Sequence, residues 1–539
     1  MSGRRVPADL ALVGGKIWTG DPERPWAEAL AAGGGRIVEV GATDAIRRLA
    51  GRETEVIDLG GALVLPGFTD AHTHFLAGGL ALRQVDLRGA KGREELTARI
   101  AARAGDLGAG RWVLGGGWDH REFYPVEPPR KEWIDAATPD HPVCVNRIDL
   151  HTVLANSRAL GVAGITRDTA SPPGGEIVRD PVTGEPTGLL KDTASDLVLS
   201  RIPEPSFAEK LEAAEGALRH VSRYGVTAVH EMADEASIEV FAELDRRGGL
   251  TARIDVYVPI TEMGALVRLQ SQAYPDGGRL KAAGLKGFVD GSLGSATARF
   301  FEPYADEPSS SGIFHGHMFP EGIMERRIRE ADRAGLQVAV HAIGDLANRV
   351  LLDIMERVIA DHGPRDRRWR VEHAQHLHPD DIVRFGRLGL AVSVQPAHLP
   401  SDGCWAEKKI GSERARSTYA FRSLIGGGAR LLFGSDWNVA PIDPMVGIHA
   451  AVTRRTADGK NPGGWVPEER VSVEDAVRAY TVNPAWAGFV DAERGSLEPG
   501  KRADIVVLDR DIFAIPAEEI ADVGVRMTVF DGRIIYRKD

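Results

Sequence analysis

A chain of 539 residues exceeds what one hydrophobic core ordinarily serves, and about 150 residues per domain predicts three or four units, fewer if one large barrel carries insertions. Its 43% hydrophobic and 27% charged residues are the mix of an ordinary globular protein, which argues against a disordered chain. Lys and Arg total 66 against 77 Asp and Glu, and the formal charge of -11 sets up a field that repels nucleic acid and anionic membranes.

Cys144 and Cys404 are too few for a disulfide framework and form no C-x-x-C pair, so a reducing, cytoplasmic setting is expected. The start, Met1 to Arg5, is basic, but the apolar run Leu10 to Val13 is too short for a signal segment, and no stretch approaches a membrane span. Over the first sixty or so residues, short Val/Ile/Leu runs alternate with Gly turns (Leu10 to Ile17, Arg36 to Val40, Glu55 to Leu59), which predicts small β-structure. The pattern returns at the far end in Ala503 to Leu508 and Val525 to Phe530, with Asp531-Gly532 as a hairpin turn before Arg533 to Tyr536. Residues 1–62 and 490–539 are therefore expected to build one composite β-sandwich domain.

Between them, short β-branched runs repeatedly precede longer segments with helical apolar spacing, the signature of βα units. In order, the predicted strands are Leu63 to Phe68, Val226 to His230, Ile254 to Ile260, Leu285 to Val289, Gln337 to Val340, Arg370 to Glu372, Ala391 to Val394 and Arg430 to Phe433. Eight such strands close a TIM (β/α)8 barrel, here residues 63–489. Asp345 is placed to cap a helix presenting Leu346, Val350, Leu351, Ile354 and Val358 on one face. The interval from about 88 to 200 is too long for one crossover and predicts a large insertion after the first strand.

Several predicted strands end in a metal-capable side chain: His72 and His74 after the first, Lys286 within the fourth, His341 after the fifth, His373 after the sixth and Asp436 after the eighth. Active sites of such barrels lie at the C-terminal rim, where side chains distant in sequence converge. Side-chain alternation puts both imidazoles of His72-Thr73-His74 on one side of an extended segment, so both can face one ion. Taken singly, each residue has a plainer alternative: surface histidines for the pair, backbone-bonded core histidines for His341 and His373, a helix cap for Asp436, an outward-pointing lysine for Lys286. A lysine inside a barrel strand is costly unless its pKa falls from about 10.4 toward the neutral amine. A neutral amine can add carbon dioxide to become a carbamate, an anionic two-oxygen ligand able to bridge two divalent metals.

The chain resembles the amidohydrolase superfamily over nearly its whole length, and within it the large-insert branch similar to the YtcJ-like proteins and N-substituted formamide deformylases. Eight ordered blocks carry the resemblance, among them Val64-Leu65-Pro66-Gly67-Phe68-Thr69-Asp70-Ala71-His72-Thr73-His74, Gly115-Gly116-Gly117-Trp118-Asp119 and Asn146-Arg147-Ile148-Asp149-Leu150-His151. Lys286-Gly287-Phe288-Val289-Asp290-Gly291-Ser292, Val340-His341-Ala342-Ile343-Gly344-Asp345, Glu372-His373-Ala374-Gln375 and Gly434-Ser435-Asp436 continue it. The resemblance implies that His72, His74 and Asp436 hold one metal, that His341 and His373 hold a second, and that carbamylated Lys286 bridges them. Zinc is the first choice for the one or two ions, with iron and manganese accepting similar ligands.

A bound divalent metal brings the pKa of its water to about 7. The expected function is therefore a metal-dependent amidohydrolase that cleaves a nonpeptide C–N (amide-type) bond of a small molecule by metal-activated hydroxide. Asp436 is its expected general acid/base, taking the proton of water and handing it to the leaving amine. Substrate contacts are expected from Trp118, Asp119, His120 and His151 in the insertion and from Asp290 and Trp437 on rim loops. His315, His317, His376, His378 and His398 match no ligand position and are expected on solvated loops.

Two other readings stand beside this one. A deaminase of an aminated heterocycle would use the same scaffold, usually with one metal and no bridging lysine. A noncatalytic binding descendant would generally lack ligands. The expected partner is a small amide-type substrate, with no nucleic acid and no membrane; a homodimer is compatible with the sequence.

Overall fold

The computed structural model describes residues 8–147, 151–271 and 278–538. The basic start at Met1 to Arg5, and Ile148, Asp149 and Leu150 of one family block, lie outside the described residues. The chain divides into two compact units, Met1–Leu76 with Ala214–Asp539, and Ala77–Ala213.

In the first unit eight parallel strands follow one another around a barrel: Phe68–Thr73, Val226–Met232, Arg253–Pro259, Leu280–Phe288, Gln337–Ala342, Arg370–His373, Ala391–Val394 and Arg430–Phe433. Most of their residues are buried on both faces, so the strands read as short apolar runs without polar alternation. The last seam closes at the rim. There the Asp436 N–H donates to the His72 carbonyl at 2.8 Å and the His74 N–H to the Trp437 carbonyl at 2.7 Å. Beneath them the buried Asp70 carboxylate accepts from the backbone N–H groups of Ser435 (3.0 Å) and His72 (3.1 Å). The fold is thus an α/β barrel of the TIM type, with further sheets contributed by the termini and by the insertion.

The first barrel strand differs from expectation. Leu63–Pro66 is a separate strand of the terminal sheet, and the barrel strand begins at Phe68. Gly67 is the switch point: its N–H donates to the Asp504 carbonyl, whereas the Phe68 N–H donates to Gly225. A Cβ on Gly67 would lie 2.2 Å from Thr227 Oγ1, so the crossing tolerates no side chain. Helix Asp345–His362 forms as predicted and buries Leu351, Ile354 and Val358, but Gly344 is its cap. Asp345 instead accepts the Phe301 N–H at 2.9 Å.

Strands from both ends of the chain form the remaining sheets of this unit. Leu63–Pro66 lies antiparallel to Ile505–Leu508 in a six-stranded sheet, and Leu10–Val13 is central to a four-stranded one. Leu12, Leu30, Val40, Val64, Val507 and Val529 share one core between the two. Arg253, at the start of the third barrel strand, is 1% exposed and anchors the barrel to this layer. Its guanidinium donates to Asp504 Oδ2 at 2.8 Å and also to Asp531.

The second unit is the insertion between the first and second barrel strands. Its six-stranded sheet runs in the order Gly175–Arg179, Pro186–Asp192, Thr152–Ala155, Val143–Arg147, Val113–Trp118 and Val85–Asp86. Helix Arg93–Gly105 buries Leu96, Ile100 and Ala104 in a core shared with Val113, Trp118 and Val143. Among the described residues no helix is long and apolar enough to cross a membrane.

Removing one partner of a buried ion pair strands the other, at a cost of about 3–5 kcal/mol. Arg253→Leu, which leaves Asp504 without its guanidinium while Asp531 keeps Arg279, is expected to lower the thermal midpoint by several degrees in calorimetry; an unchanged midpoint would show that the anchor bears no load.

Candidate metal centre

Five barrel strands deliver metal-capable side chains to one rim, and His72, His74, Lys286, His341, His373 and Asp436 all line a single cavity of about 470 Å³. His72 and His74 lie two residues apart at the end of the first strand, so alternation turns both the same way. The seam hydrogen bonds draw Asp436 to them: its Oδ1 is 3.2 Å from His74 Nε2 and 3.7 Å from His72 Nε2. One ligand atom from each of these three residues falls within 4.8 Å of the others, the span of a metal site. His373 continues the cluster, its ring 4.9 Å from that of His72 and 4.4 Å from that of His341.

Each buried imidazole has one nitrogen committed, which leaves the other for an ion. His72 Nδ1 meets Glu372 Oε2 at 2.5 Å, His373 Nδ1 meets Gln395 Oε1 at 2.7 Å, and His341 Nε2 meets the Gly291 carbonyl at 2.9 Å. Partners of this kind set the tautomer and aim of a ligand. Burial, reinforced by the charge of Lys286, lowers His72 to about 4 and His341 to about 3; burial also holds His373 well below its usual value. All three are therefore neutral at pH 7, the form that binds metal.

Lys286 Nζ is buried and has no hydrogen-bond partner, a costly state for an ammonium. Burial brings its pKa down to about 8, against the opposing charges of Glu372 and Asp436. Three imidazoles with one nitrogen unspent, a fourth at His74, a carboxylate and an unpartnered amine make a donor set that fits divalent metal.

Two of these metal-capable side chains sit in strained backbone. His373 (φ 71°) and Asp436 (φ 57°) are both left-handed, a region costing non-glycine residues about 1–3 kcal/mol each. The seam bonds at Asp436 and the Gln395 contact of His373 hold these conformations in place.

The expected substrate contacts fall into two groups. In the first unit, the Asp290 carboxylate is occupied by the backbone N–H groups of Ile343, Gly344 and Arg299 at 2.8–2.9 Å, so it clamps two rim loops together. Trp437 is buried, stacked on His220 and edge-on to Phe75. In the second unit, Trp118 is buried in the insertion core, its indole N–H donating to the Val145 carbonyl at 3.1 Å. Asp119 is paired with Arg121 and Arg147, His120 has its ring beside Trp118, and His151 Nδ1 meets Asp192 at 3.0 Å on an exposed edge. The expectation of solvated loop histidines fails for two residues. His376 is buried with Nδ1 on Thr418 Oγ1, and His398 lines the cavity, its Nε2 3.2 Å from the Ser435 carbonyl. His376 packs against the chain between the seventh and eighth strands, and His398 belongs to that chain.

Sequence reasoning assigned no role to the charges under the ligands. Arg370, fully buried in the barrel, donates to Glu372 Oε1 at 2.7 Å, to the Ala71 carbonyl at 2.6 Å and to His230 Nδ1 at 2.6 Å. Glu372 thus joins a buried cation to the first metal-capable histidine. Glu231, also buried, accepts from Thr73 Oγ1 at 3.0 Å and the Phe75 N–H at 2.5 Å, fixing the turn that carries His74. The signal was available: Arg370-Val371-Glu372-His373 places two opposite charges in a four-residue buried strand. Loss of a carboxylate that orients a metal-binding histidine typically weakens metal affinity about 10- to 100-fold. Glu372→Gln is expected to lower zinc affinity by that factor in a chelator competition, whereas unchanged affinity would deny Glu372 this orienting role.

The amidohydrolase family model matches residues 55–536. The chain is 40% identical to Protein LONG AFTER FAR-RED 3 of Arabidopsis thaliana, over 98% of this chain and 92% of that one. It is 27% identical to N-substituted formamide deformylase of Arthrobacter pascens, over 98% of each. Among solved structures, an uncharacterized metal-dependent hydrolase of Pyrococcus horikoshii matches with a TM-score of 0.76 and 30% identity, covering 94% of this chain and 99% of that one. With the family match spanning the whole barrel, the insertion and nearly all of the C-terminal segment, this chain belongs to the amidohydrolase family.

Proposed function

We propose that the protein hydrolyses a nonpeptide, amide-type C–N bond of a small molecule, with zinc as its metal and Asp436 as general acid/base. The observation that carries this reading is the meeting of His72, His74 and Asp436 with a buried, unpartnered Lys286 in one cavity. The similarity to an N-substituted formamide deformylase and to a metal-dependent hydrolase supports the bond type and the metal.

In this reading His72, His74 and Asp436 would hold one ion and His341 and His373 a second, and Lys286, as a carbamate, would supply oxygen donors to them. Loss of a proton from its amine on addition of carbon dioxide turns Lys286 into an anion with two donor oxygens, which removes the cost of a lone buried ammonium. Bound divalent metal supplies Lewis acidity and lowers the pKa of water to about 7. Asp436 lies beside the cluster with its carboxyl well below the usual range, because the imidazoles of His74, His72 and His373 outweigh burial. Ionised, its carboxylate takes the proton of the attacking water and passes it to the departing nitrogen. Phe288, Leu293 and Trp405 give the cavity an apolar wall for the body of a substrate.

A positioned acid/base typically contributes about 10²- to 10⁴-fold. Asp436→Asn is expected to lose turnover by that factor on whichever member of a panel of formamides, acyl amides and cyclic amides the wild type hydrolyses, while retaining much of its metal. Unchanged turnover would remove Asp436 from the role.

A further inference from the structure

The cavity holds a second carboxylate, which the proposed reaction leaves unused. Asp402 ends the short helix Leu399–Asp402 beyond the seventh barrel strand and lines the same cavity as Lys286 and the histidine cluster. Both of its side-chain hydrogen bonds fall on one oxygen: Oδ2 accepts from the Tyr419 hydroxyl at 2.6 Å and from the Gln375 amide at 2.9 Å. Those donors are fixed in turn. Tyr419 and Gln375 are buried, and the Tyr419 N–H donates to the Gln375 carbonyl at 2.8 Å.

The carboxylate is therefore held in one orientation, with Oδ1 accepting nothing and no salt bridge to any described residue. The fully buried carboxylates of this unit are better compensated. Glu372 has Arg370, Asp255 has Arg494, and Asp290 has three backbone donors. Burial among apolar neighbours, Leu293 and Trp405 with it in the cavity wall, pushes the Asp402 carboxyl above its usual range. Beyond salt-bridge distance the His398 ring also acts on it, and a fixed, half-desolvated anion with no cation in contact is complementary to a ligand that brings one.

Resting on the amidohydrolase reading, we propose that Asp402 selects substrates carrying a positively charged amino group in addition to the scissile amide, with Trp405 and Leu293 packing against the apolar body of the molecule. A cavity of about 470 Å³ has room for both ends of such a molecule.

The test uses the full-length, zinc-loaded protein and two probes of one shape, benzylammonium and benzyl alcohol, titrated by calorimetry. Wild type is expected to prefer the cation, and Asp402→Asn to lose that preference by about tenfold or more, as for a hydrogen bond to a charged group. Asp402→Glu, which keeps the charge, is expected to retain part of it. On paired amides differing only in a terminal ammonium or a neutral group, the cationic-to-neutral ratio of kcat/KM should fall by a similar factor in Asp402→Asn. A wild type without cation preference, or an Asp402→Asn protein that keeps it, would overturn the assignment. If no amide is hydrolysed but benzylammonium binding still depends on Asp402, the assignment stands and the hydrolase reading falls.

Discussion

The seam between the first and eighth barrel strands is the constraint on which the metal centre depends. Few hydrogen bonds span it, and those that do lie at the metal-capable side chains: the Asp436 amide on the His72 carbonyl, the His74 amide on the Trp437 carbonyl, and the Asp70 carboxylate under both strands. Closing the barrel and assembling the His72, His74 and Asp436 cluster are therefore one event. The left-handed backbone at Asp436 is the conformational cost of turning a strand end inward at that point.

Below the rim, charge stabilises charge. A barrel interior is a poor place for arginine, and Arg370 is tolerated there because Glu372, His230, Ser393 and the Ala71 carbonyl receive its donors. Glu372 then turns the same pair toward function by holding His72 Nδ1. Lys286 contrasts with this. Its buried Nζ has no hydrogen-bond partner, only the Phe288 ring beneath it, in the strand between the two histidine groups.

Much of this was legible in the chain. Short β-branched runs ending in His72, His341, His373 and Asp436 gave both the strand order and the rim, since βα units put strand ends on one side. The split at Gly67 was missed because Leu63 to Phe68 is continuously apolar; only tertiary contacts distinguish a partner at Asp504 from one at Gly225. His230 and Glu231 passed unnoticed because their partners come from strands far away in sequence, and no local period encodes such pairs. Asp290 was read from its polar Asp-Gly-Ser turn as a substrate group, yet its carboxylate is taken up by three amides of neighbouring loops. The cavity carboxylate at Asp402 left no motif at all, since its meaning lies in the donors it lacks.

Anomalous diffraction at the zinc edge, from crystals of protein grown in zinc, addresses the metal centre most directly. The account requires a peak within coordination distance of His72, His74 and Asp436, with density extending Lys286 Nζ by a carboxylate toward His341 and His373. A zinc-loaded crystal with no peak among these side chains, or with its zinc bound elsewhere on the chain, would contradict it.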